Sequence, residues 1–412
     1  MTRILAYTTP ARGHLFPLVP ILDELRDRGH AVALRTMAAE VAAMGGRGFA
    51  TAPIDPAIES IAHDDHLART PPAAQRRAVA TLCARAGLDA PDLEAAIARE
   101  RPDLVLVDVN AWGAQAVAER WGGPWATWCP YPPPIPSRDA PPFGPGLAPA
   151  HGPAGRLRDA LARRLVTGAV ERSLLPSLNQ VRAAVGVPAH GGVDGIFRAT
   201  PLFLYLSAEP FEYPRTDWPA NVRMIGPCAW DPPAAAPEWL DAIERPIVVV
   251  TTSSEFQDDG RLATAAIEAL PELGVHVVAT VPAGADLPPA GPHAHVERFV
   301  AHRPLLARAA CAVTHGGMGA TQKALAAGVP VCAVPFGRDQ LEVARRVAVA
   351  GAGTRLPARR LTPARLRAAV QDAMARSDGA RRVADGYRAA GGPAAAADAV
   401  EALVRSRAAA AA

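Results

Sequence analysis

The sequence predicts an α/β protein made of two doubly wound halves. Near the N-terminus, residues 3–8 and 30–36 are apolar runs typical of buried strands, and residues 17–28 between them have apolar side chains at helical spacing. A second unit of this kind begins at residues 245–252. Residues 226–240, between the two units, are rich in proline, which is typical of a domain boundary. Strands that alternate with helices predict a parallel, doubly wound sheet in each half.

Length and composition predict more than one domain, and the charge pattern disfavours a nucleic-acid-binding protein. The chain has 412 residues, more than a single hydrophobic core usually serves, and 50% of them are hydrophobic, which is enough for two large cores. The net charge is +3, with basic and acidic residues interspersed. A nucleic-acid-binding surface is therefore not expected.

The cysteines and the hydropathy pattern indicate a reducing compartment. The five cysteines include no C-x-x-C pair, so neither a disulfide framework nor a zinc site is predicted. The N-terminus enters a strand at once, without the apolar core of a signal peptide. No apolar run approaches the about 18 residues that a membrane span needs. We expect a cytoplasmic protein without a membrane span.

The loop predicted after the first strand, residues 10–14, contains Gly13 and His14. It lacks the full G-x-G-x-x-G fingerprint, which disfavours a dehydrogenase. His14 follows the carboxyl end of the first strand, the edge at which open α/β sheets bind ligands. A neutral imidazole there can accept a proton near pH 7, so His14 is a candidate general base. The alternative is a histidine that only caps the following helix.

Other acidic and apolar patterns follow in the first half. Residues 102–108 predict a buried strand that ends in Asp108. The run HDDH at residues 63–66 has the residue types of metal ligands, but nothing near it completes a coordination shell, and we expect a solvated helix start. Residues 121–155, rich in proline, glycine and aromatic residues, predict a long loop. The helix predicted over residues 156–187 has leucine stripes that we assign to the core: Leu157, Leu161, Leu165, Leu174, Leu175 and Leu178.

A glycine-rich turn stands at the centre of the second half. Residues 311–314 predict a buried strand and residues 320–327 a helix, with His315, Gly316, Gly317, Met318 and Gly319 between them. Glycines let backbone N–H groups approach a ligand, and a helix N-terminus attracts negative charge. The turn therefore predicts an anion site, typically for a diphosphate, although its spacing matches neither the dinucleotide fingerprint nor the P-loop. The alternative is a tight turn with a structural histidine.

The next strand leads to PFGRDQ at residues 335–340. Asp339 and Gln340 add a carboxylate and an amide at the carboxyl edge of the predicted sheet, where ligands bind. A pair of this kind suits a polyhydroxylated ring. The alternative is a solvated loop.

Three runs of the second half carry a family resemblance: FVAHRPLL at 299–306, THGGMG at 314–319 and GVPVCAVPFGRDQ at 328–340. They resemble the donor-sugar signature of the family 1 glycosyltransferases of the GT-B fold, and more narrowly the actinobacterial enzymes that decorate antibiotics with nucleoside-diphosphate sugars. The resemblance implies two facing Rossmann-like domains with a cleft between them. Residues 1–225 would bind the acceptor and residues 241–387 the donor, with 226–240 as linker and a last helix, 388–407, returning to the first domain.

The resemblance also implies site residues. His14 would be the general base and Asp108 the carboxylate that orients it, unless Asp108 only caps a helix starting near Trp112. The donor would be bound by Gly13, Ser253, Ser254, Phe299, Val300, His315, Gly316, Gly317, Met318, Gly319, Ala320, Asp339 and Gln340. The acceptor wall would include the aromatic side chains of Trp112, Trp128, Tyr131 and Phe143, for which ordinary packing is the alternative.

One residue departs from the family pattern. Lys323 stands near the position of a glutamate that holds the ribose in the plant enzymes, and a lysine cannot accept that hydrogen bond. A dTDP-sugar, which has no 2′-hydroxyl, would tolerate the change better than a UDP-sugar.

The function implied is inverting transfer of a sugar or deoxysugar from a dTDP- or UDP-sugar to a hydrophobic natural-product aglycone. No metal or other cofactor is expected besides this co-substrate, and a homodimer is left open. Two alternatives remain: a nucleotide-sugar epimerase of the same fold and a non-catalytic helper that resembles a glycosyltransferase. Sugar hydrolysis is disfavoured because no carboxylate pair of the glycosidase type is apparent.

Overall fold

The structure is a computed structural model that describes residues 1–68, 70–150, 152–253, 260–281 and 289–411. The strands of these residues are β1 (Arg3–Tyr7), β2 (Ala31–Thr36), β3 (Ala50–Pro53), β4 (Leu104–Asp108), β5 (Trp125–Cys129), β6 (Leu202–Tyr205), β7 (Val222–Met224), β8 (Ile247–Thr251), β9 (His276–Thr280), β10 (Ala294–Glu297), β11 (Ala309–Thr314), β12 (Val331–Ala333) and β13 (Gly353–Arg355).

The helices in the same residues are α1 (Arg12–Asp27), α2 (Ala38–Gly45), α3 (Pro56–Ser60), α4 (Pro71–Glu100), α5 (Trp112–Trp121), α6 (Gly152–Val185), α7 (Gly195–Arg198), α8 (Gly260–Ala269), α9 (His302–Leu306), α10 (Met318–Ala326), α11 (Gln340–Val349), α12 (Pro363–Met374), α13 (Ser377–Ala389) and α14 (Gly392–Ala411). None of the described helices has the length and apolar character that crossing a membrane requires.

The strands form two separate parallel sheets, which confirms the predicted fold class. The first sheet has the order β3-β2-β1-β4-β5-β6-β7 and the second the order β10-β9-β8-β11-β12-β13. In each sheet the strand order reverses once near the middle, between β1 and β4 and between β8 and β11. Ligands bind at such reversals, outside the carboxyl ends of the strands. A ligand site is therefore expected at the carboxyl ends of these four strands.

Each sheet is covered by helices on both faces, which is why its strands are apolar throughout. In the first half, α1 and α14 contribute to the core on one face, and α4 and α5 to the core on the other. In the second half, α10, α11 and α13 cover one face, and α8 and α12 the other. Helix α14 thus belongs to the first core, where Ala396, Ala397 and Val400 are buried. On its surface, Arg28 Nη1 lies 2.6 Å from Asp398 Oδ1.

The first helix begins earlier than the sequence predicts. Helix α1 starts at Arg12, so Gly13 and His14 lie in its first turn and not in a loop. The N–H groups of His14 and Leu15 both donate to the carbonyl of Ala11, which opens the helical ladder. The predicted start at Pro17 was wrong because proline, although it lacks the N–H, has a φ that suits a helix and is tolerated inside α1.

Part of helix α6 is exposed where the sequence predicts core. Leu157, Leu161 and Leu165 are 62%, 58% and 72% exposed, whereas Leu174 and Leu178 are buried. The buried leucines belong to a cluster with Ala86 of α4 and Trp112 of α5. Helical spacing shows that leucines share a face, but it does not show whether another element covers that face.

Two other boundaries differ from the prediction. The apolar run at residues 201–214 predicts the end of the first sheet, but β7 follows it and pairs in parallel with β6. The last helix begins at Gly392, because Gly391 and Gly392 both have positive φ, 86° and 58°, and the preceding helix ends before them.

Candidate functional site

A cavity of about 940 Å³ lies between the two halves, at the carboxyl edges of both sheets. The residues of the predicted site that line it are Gly13, His14, Tyr131, Ser253, Phe299, Val300, His315, Gly317, Met318, Gly319, Ala320, Asp339 and Gln340. Ser254 lies outside the described residues. Asp108 and Gly316 are buried behind the wall, where they contact lining residues.

His14 and Asp108 are in direct contact. The Nδ1 atom of His14 lies 2.9 Å from Asp108 Oδ1 and 3.1 Å from Oδ2. Backbone N–H groups of Asn110 and Thr9 donate to the same carboxylate at 2.8 and 3.3 Å. Asp108 is the last residue of β4 and His14 follows β1, and these two strands are neighbours in the sheet. Because the carboxylate accepts the Nδ1–H, the ring is held in the tautomer whose Nε2 has the lone pair.

The other ring nitrogen has a polar neighbour that the sequence analysis missed. Asn110 Nδ2 lies 3.4 Å from His14 Nε2, and the hydroxyl of Tyr131 donates to Asn110 Oδ1 at 2.7 Å. The ring of Tyr131 lies 5.8 Å from that of His14, centroid to centroid. Asn110 comes two residues after Asp108, so its place beyond the same strand end was the available signal.

The glycine turn leads into the N-terminus of α10, beside the cavity. Helix α10 begins at Met318, two residues earlier than predicted, and no described side chain caps it. The N–H groups of its first turn therefore belong to residues that line the cavity, Met318, Gly319 and Ala320. His315 lines the same region.

Gly316 has a conformational role in this turn. Its φ is 86°, and a Cβ atom there would lie 3.1 Å from both Cβ and the carbonyl oxygen of Gln340. Its N–H donates to Thr314 Oγ1 at 3.1 Å. Only glycine fits this position without strain, so the turn that precedes α10 depends on it.

The PFGRDQ loop contributes Arg338, Asp339 and Gln340 to the cavity wall. Gln340 Oε1 accepts hydrogen bonds from the N–H groups of Phe336 and Gly337 at 2.7 and 3.0 Å, so this amide oxygen supports the loop. Asp339 is the N-cap residue of α11 and lines the cavity. Burial raises the pKa of the Asp339 carboxyl, while a backbone hydrogen bond and the charge of Arg338 lower it less.

The HDDH run contributes an ion pair across the cavity. Arg338 Nε and Nη2 donate to Asp65 Oδ2 and Oδ1 at 2.9 and 2.8 Å. Burial raises the pKa of Asp65, but the hydrogen bond and charge of Arg338 outweigh it, and the net pKa is lowered. The expected solvated helix start was therefore wrong for Asp65, which is buried. The described residues contain no group of three or more ligands that could hold a metal ion.

The predicted aromatic wall is largely absent from the cavity. Of its four members only Tyr131 is among the described lining residues. Trp128 is buried in the core, with Nε1 donating to the carbonyl of His14 at 3.3 Å, and Trp112 is buried in another cluster. Phe143 is half-buried elsewhere. Strand β5 is apolar on both faces, so its sequence does not show which side each ring takes. Phe16 and Leu82 line the cavity instead.

The second half also contributes one exposed ring and one unexpected ion pair to the cavity. Phe299 is 55% exposed and Val300 is buried. Lys323 Nζ lies 2.5 Å from Asp231 Oδ1, a residue of the linker. Burial and the charge of Lys323 lower the pKa of His302 to about 4, against a smaller opposite effect of Asp231.

Comparison with known proteins identifies the family. Residues 263–403 match the family described as erythromycin biosynthesis protein CIII-like, C-terminal domain. The 4′-demethylrebeccamycin synthase of Lentzea aerocolonigenes is 34% identical over 384 residues, which cover 90% of this chain and 91% of that protein.

Solved structures agree in fold. The glycotransferase of kitacinnamycin has a TM-score of 0.76 at 24% identity, covering 98% of this chain and 99% of that one. The glycosyltransferase VinC, solved in complex with dTDP, has a TM-score of 0.69 at 22% identity, covering 98% and 99%. The predicted class of enzyme is thereby confirmed: this chain belongs to the family 1 glycosyltransferases of the GT-B fold, among the enzymes of antibiotic biosynthesis.

Proposed function

We propose that the protein transfers a sugar from a dTDP- or UDP-sugar to a hydroxyl group of a hydrophobic natural-product aglycone, with inversion at the anomeric carbon. The observation that carries the proposal is the His14–Asp108 pair, at 2.9 Å, in a cavity that also contains the first turn of α10. A base and an anion site at one cavity are what displacement of a diphosphate by a hydroxyl requires.

The transfer begins with the acceptor hydroxyl at His14. As its oxygen attacks the anomeric carbon, the O–H proton passes to Nε2, and the carboxylate of Asp108 stabilises the imidazolium that results. The new C–O bond forms on the face opposite the bond to the diphosphate, which breaks and leaves with its electron pair. The configuration therefore inverts.

The donor is held on the other wall. The first-turn N–H groups of α10 and the imidazole of His315 stabilise the negative charge that develops on the diphosphate. Asp339 accepts hydrogen bonds from sugar hydroxyls, and the base stacks on the exposed ring of Phe299. The proposed reaction uses only these protein groups, with the nucleotide sugar as the co-substrate.

The acceptor enters beside Tyr131, Phe16 and Leu82, which line the part of the cavity contributed by the first half. These side chains are mainly apolar, which supports a hydrophobic aglycone. The dTDP form of the donor is supported by Lys323, which cannot replace the ribose-binding glutamate of the plant enzymes. The fold likeness to VinC, solved with dTDP, points the same way.

The test of the base is His14→Ala, assayed with an aglycone panel and both donor nucleotides. We expect kcat to fall by about 10²–10⁴-fold, with an unchanged Kd for dTDP by calorimetry. Asp108→Asn should lower kcat as well, since the amide cannot stabilise the imidazolium in the same way. His293→Ala, a half-buried histidine outside the cavity, is the matched control. Full activity of His14→Ala would exclude the assignment.

A further inference from the structure

The cavity wall proposed to bind the donor has a carboxylate that comes from the linker and not from α10. In the proposed binding mode the sugar ring of the nucleoside lies near Lys323 of α10, whose ammonium group donates hydrogen bonds and accepts none. A ribose or deoxyribose hydroxyl is bound best by a charged acceptor. Lys323 Nζ contacts Asp231 at 2.5 Å, and both residues line the cavity.

Asp231 is held in place from both halves of the protein. Its neighbour Trp230 packs edge-on against Phe16 of α1, with ring centroids 4.9 Å apart, and the guanidinium of Arg47 lies 5.5 Å from the Trp230 ring. The first half therefore fixes the backbone beside Asp231. Lys323, from the second half, fixes the carboxylate itself.

The accessible part of this pair faces the cavity. The side chains of Asp231 and Lys323 are 17% and 18% exposed, so both are partly buried and still accessible to a ligand. Lys323 Nζ contacts Oδ1, and a carboxylate has a second oxygen that can accept a hydrogen bond. His302, whose electrostatic interactions include both members of the pair, lines the same wall together with Phe299.

We propose that Asp231, a residue of the interdomain linker, accepts the hydrogen bond of the 3′-hydroxyl of the donor nucleoside, and that Lys323 is its positioning residue. The inference rests on the proposed function, since it requires a nucleoside diphosphate in this pocket. The carboxylate that the family pattern places on α10 is thus supplied from the linker. Because dTDP has no 2′-hydroxyl, its 3′-hydroxyl is the one free hydroxyl on its pentose.

The experiment compares dTDP with 3′-deoxythymidine diphosphate, which differs only by that hydroxyl. The intact enzyme should bind dTDP about 10- to 100-fold more tightly by calorimetry, as expected for a hydrogen bond to a charged group. In Asp231→Ala the two ligands should have the same Kd. In Asp231→Asn, which keeps a neutral acceptor, the ratio of the Kd for 3′-deoxythymidine diphosphate to the Kd for dTDP should be intermediate. Asp241→Ala, an exposed aspartate outside the cavity, should leave the ratio unchanged.

A purely structural ion pair would give a different result. Loss of Asp231 would then lower the melting temperature and weaken the binding of both ligands equally. The ratio of their Kd values would be preserved, and this result would overturn the inference. Lys323→Gln provides a second variant that keeps the carboxylate: we expect a reduced ratio that stays above one. An unchanged ratio in this variant would remove the positioning role.

The outcomes separate this inference from the proposed function. If the intact enzyme binds both ligands with equal Kd, the role of Asp231 is excluded while the nucleotide site stands. If it binds neither dTDP nor UDP, the proposed donor site itself is wrong, and the inference falls with it.

Discussion

Arg346 and Glu212 form a doubly hydrogen-bonded ion pair between the two halves of the protein. Arg346 Nη2 donates to Glu212 Oε1 at 2.9 Å, and Arg346 Nε donates to Oε2 at 3.0 Å. The side chains are 2% and 0% exposed. Arg346 belongs to α11, which follows the PFGRDQ loop, and Glu212 follows β6. The second half, which contains the PFGRDQ loop, is therefore joined to the first half by buried charges.

Removal of one partner should be costly. Glu212→Ala leaves the Arg346 guanidinium buried without this carboxylate, and we expect a loss of about 3–5 kcal/mol in the free energy of unfolding. The double variant Glu212→Leu, Arg346→Met should recover part of it. Arg388→Ala, in an exposed pair with Asp385, is the control and should change stability by less than about 0.5 kcal/mol. Equal losses in the free energy of unfolding in Glu212→Ala and Arg388→Ala would show that the buried pair contributes no more stability than the exposed one.

The same pair predicts a pH dependence. Burial alone would raise the pKa of Glu212, but the charges of Arg346 and Arg215 outweigh it and lower the pKa to about 2. The stabilisation is therefore complete above the ordinary pKa of 4.5 and is lost as the pH falls through about 2. Melting temperatures between pH 5 and pH 2 should decline less steeply in the double variant than in the unmodified protein.

Glu342 of α11 should hold the long loop of the first half, residues 121–155, against the second half. Its Oε1 accepts the N–H groups of Gly144 and Gly146 at 2.7 and 2.8 Å, and Arg345 Nε donates to the carbonyl of Gly146 at 2.8 Å. In Glu342→Gln the charged acceptor is lost, and we expect the KM for the aglycone to rise about 10-fold. The Kd for dTDP should be unchanged, because Gly144 and Gly146 belong to the first half, which is not proposed to bind the donor. A matching change in both constants would contradict the coupling.

The leucines of α6 give a comparison within one helix. Leu161→Ala should change the free energy of unfolding by less than about 0.5 kcal/mol, because this side chain is exposed. Leu178→Ala should cost about 2–5 kcal/mol, because it leaves a cavity in a buried cluster. Denaturant titration of the two variants measures both values. A large loss in Leu161→Ala would show that this face is covered in solution.

Partly buried histidines should make the protein less stable in mild acid. Burial is the main cause that lowers the pKa of His190, His276 and His302 to about 4, from an ordinary 6.5. The unfolded chain therefore binds more protons between these values, so stability is complete above pH 6.5 and falls as the pH drops towards 4. His302→Asn should flatten this decline in melting temperature. An identical decline in that variant would exclude a contribution from His302.

The sequence predicts the local parts of this protein better than its long-range contacts. Apolar runs identify β1, β4, β8 and β11, and with them the sheet edges where the cavity lies. The contact between Arg338 and Asp65 joins residues 273 positions apart, and no pattern within either segment indicates it. Asn110 and Tyr131 meet for a similar reason, through the packing of neighbouring strand ends.

The boundary of α1 and the aromatic wall show two other limits. Pro17 resembles a helix start, yet the hydrogen bonds of Ala11 set the boundary earlier. Trp128 stands in a strand that is apolar on both faces, so only packing decides that its ring enters the core. The roles of His14, Asp108 and the donor residues remain predictions that the experiments above test.

Helix α14 has a consequence for how the protein is made. Its residues Ala396, Ala397 and Val400 belong to the core of the first half, although they follow the whole second half in the chain. While the ribosome is still synthesising the second half, the face of the first sheet that carries α1 lacks part of its cover. The first half therefore completes its core only after the second half has emerged, and the nascent chain exposes apolar surface until that moment.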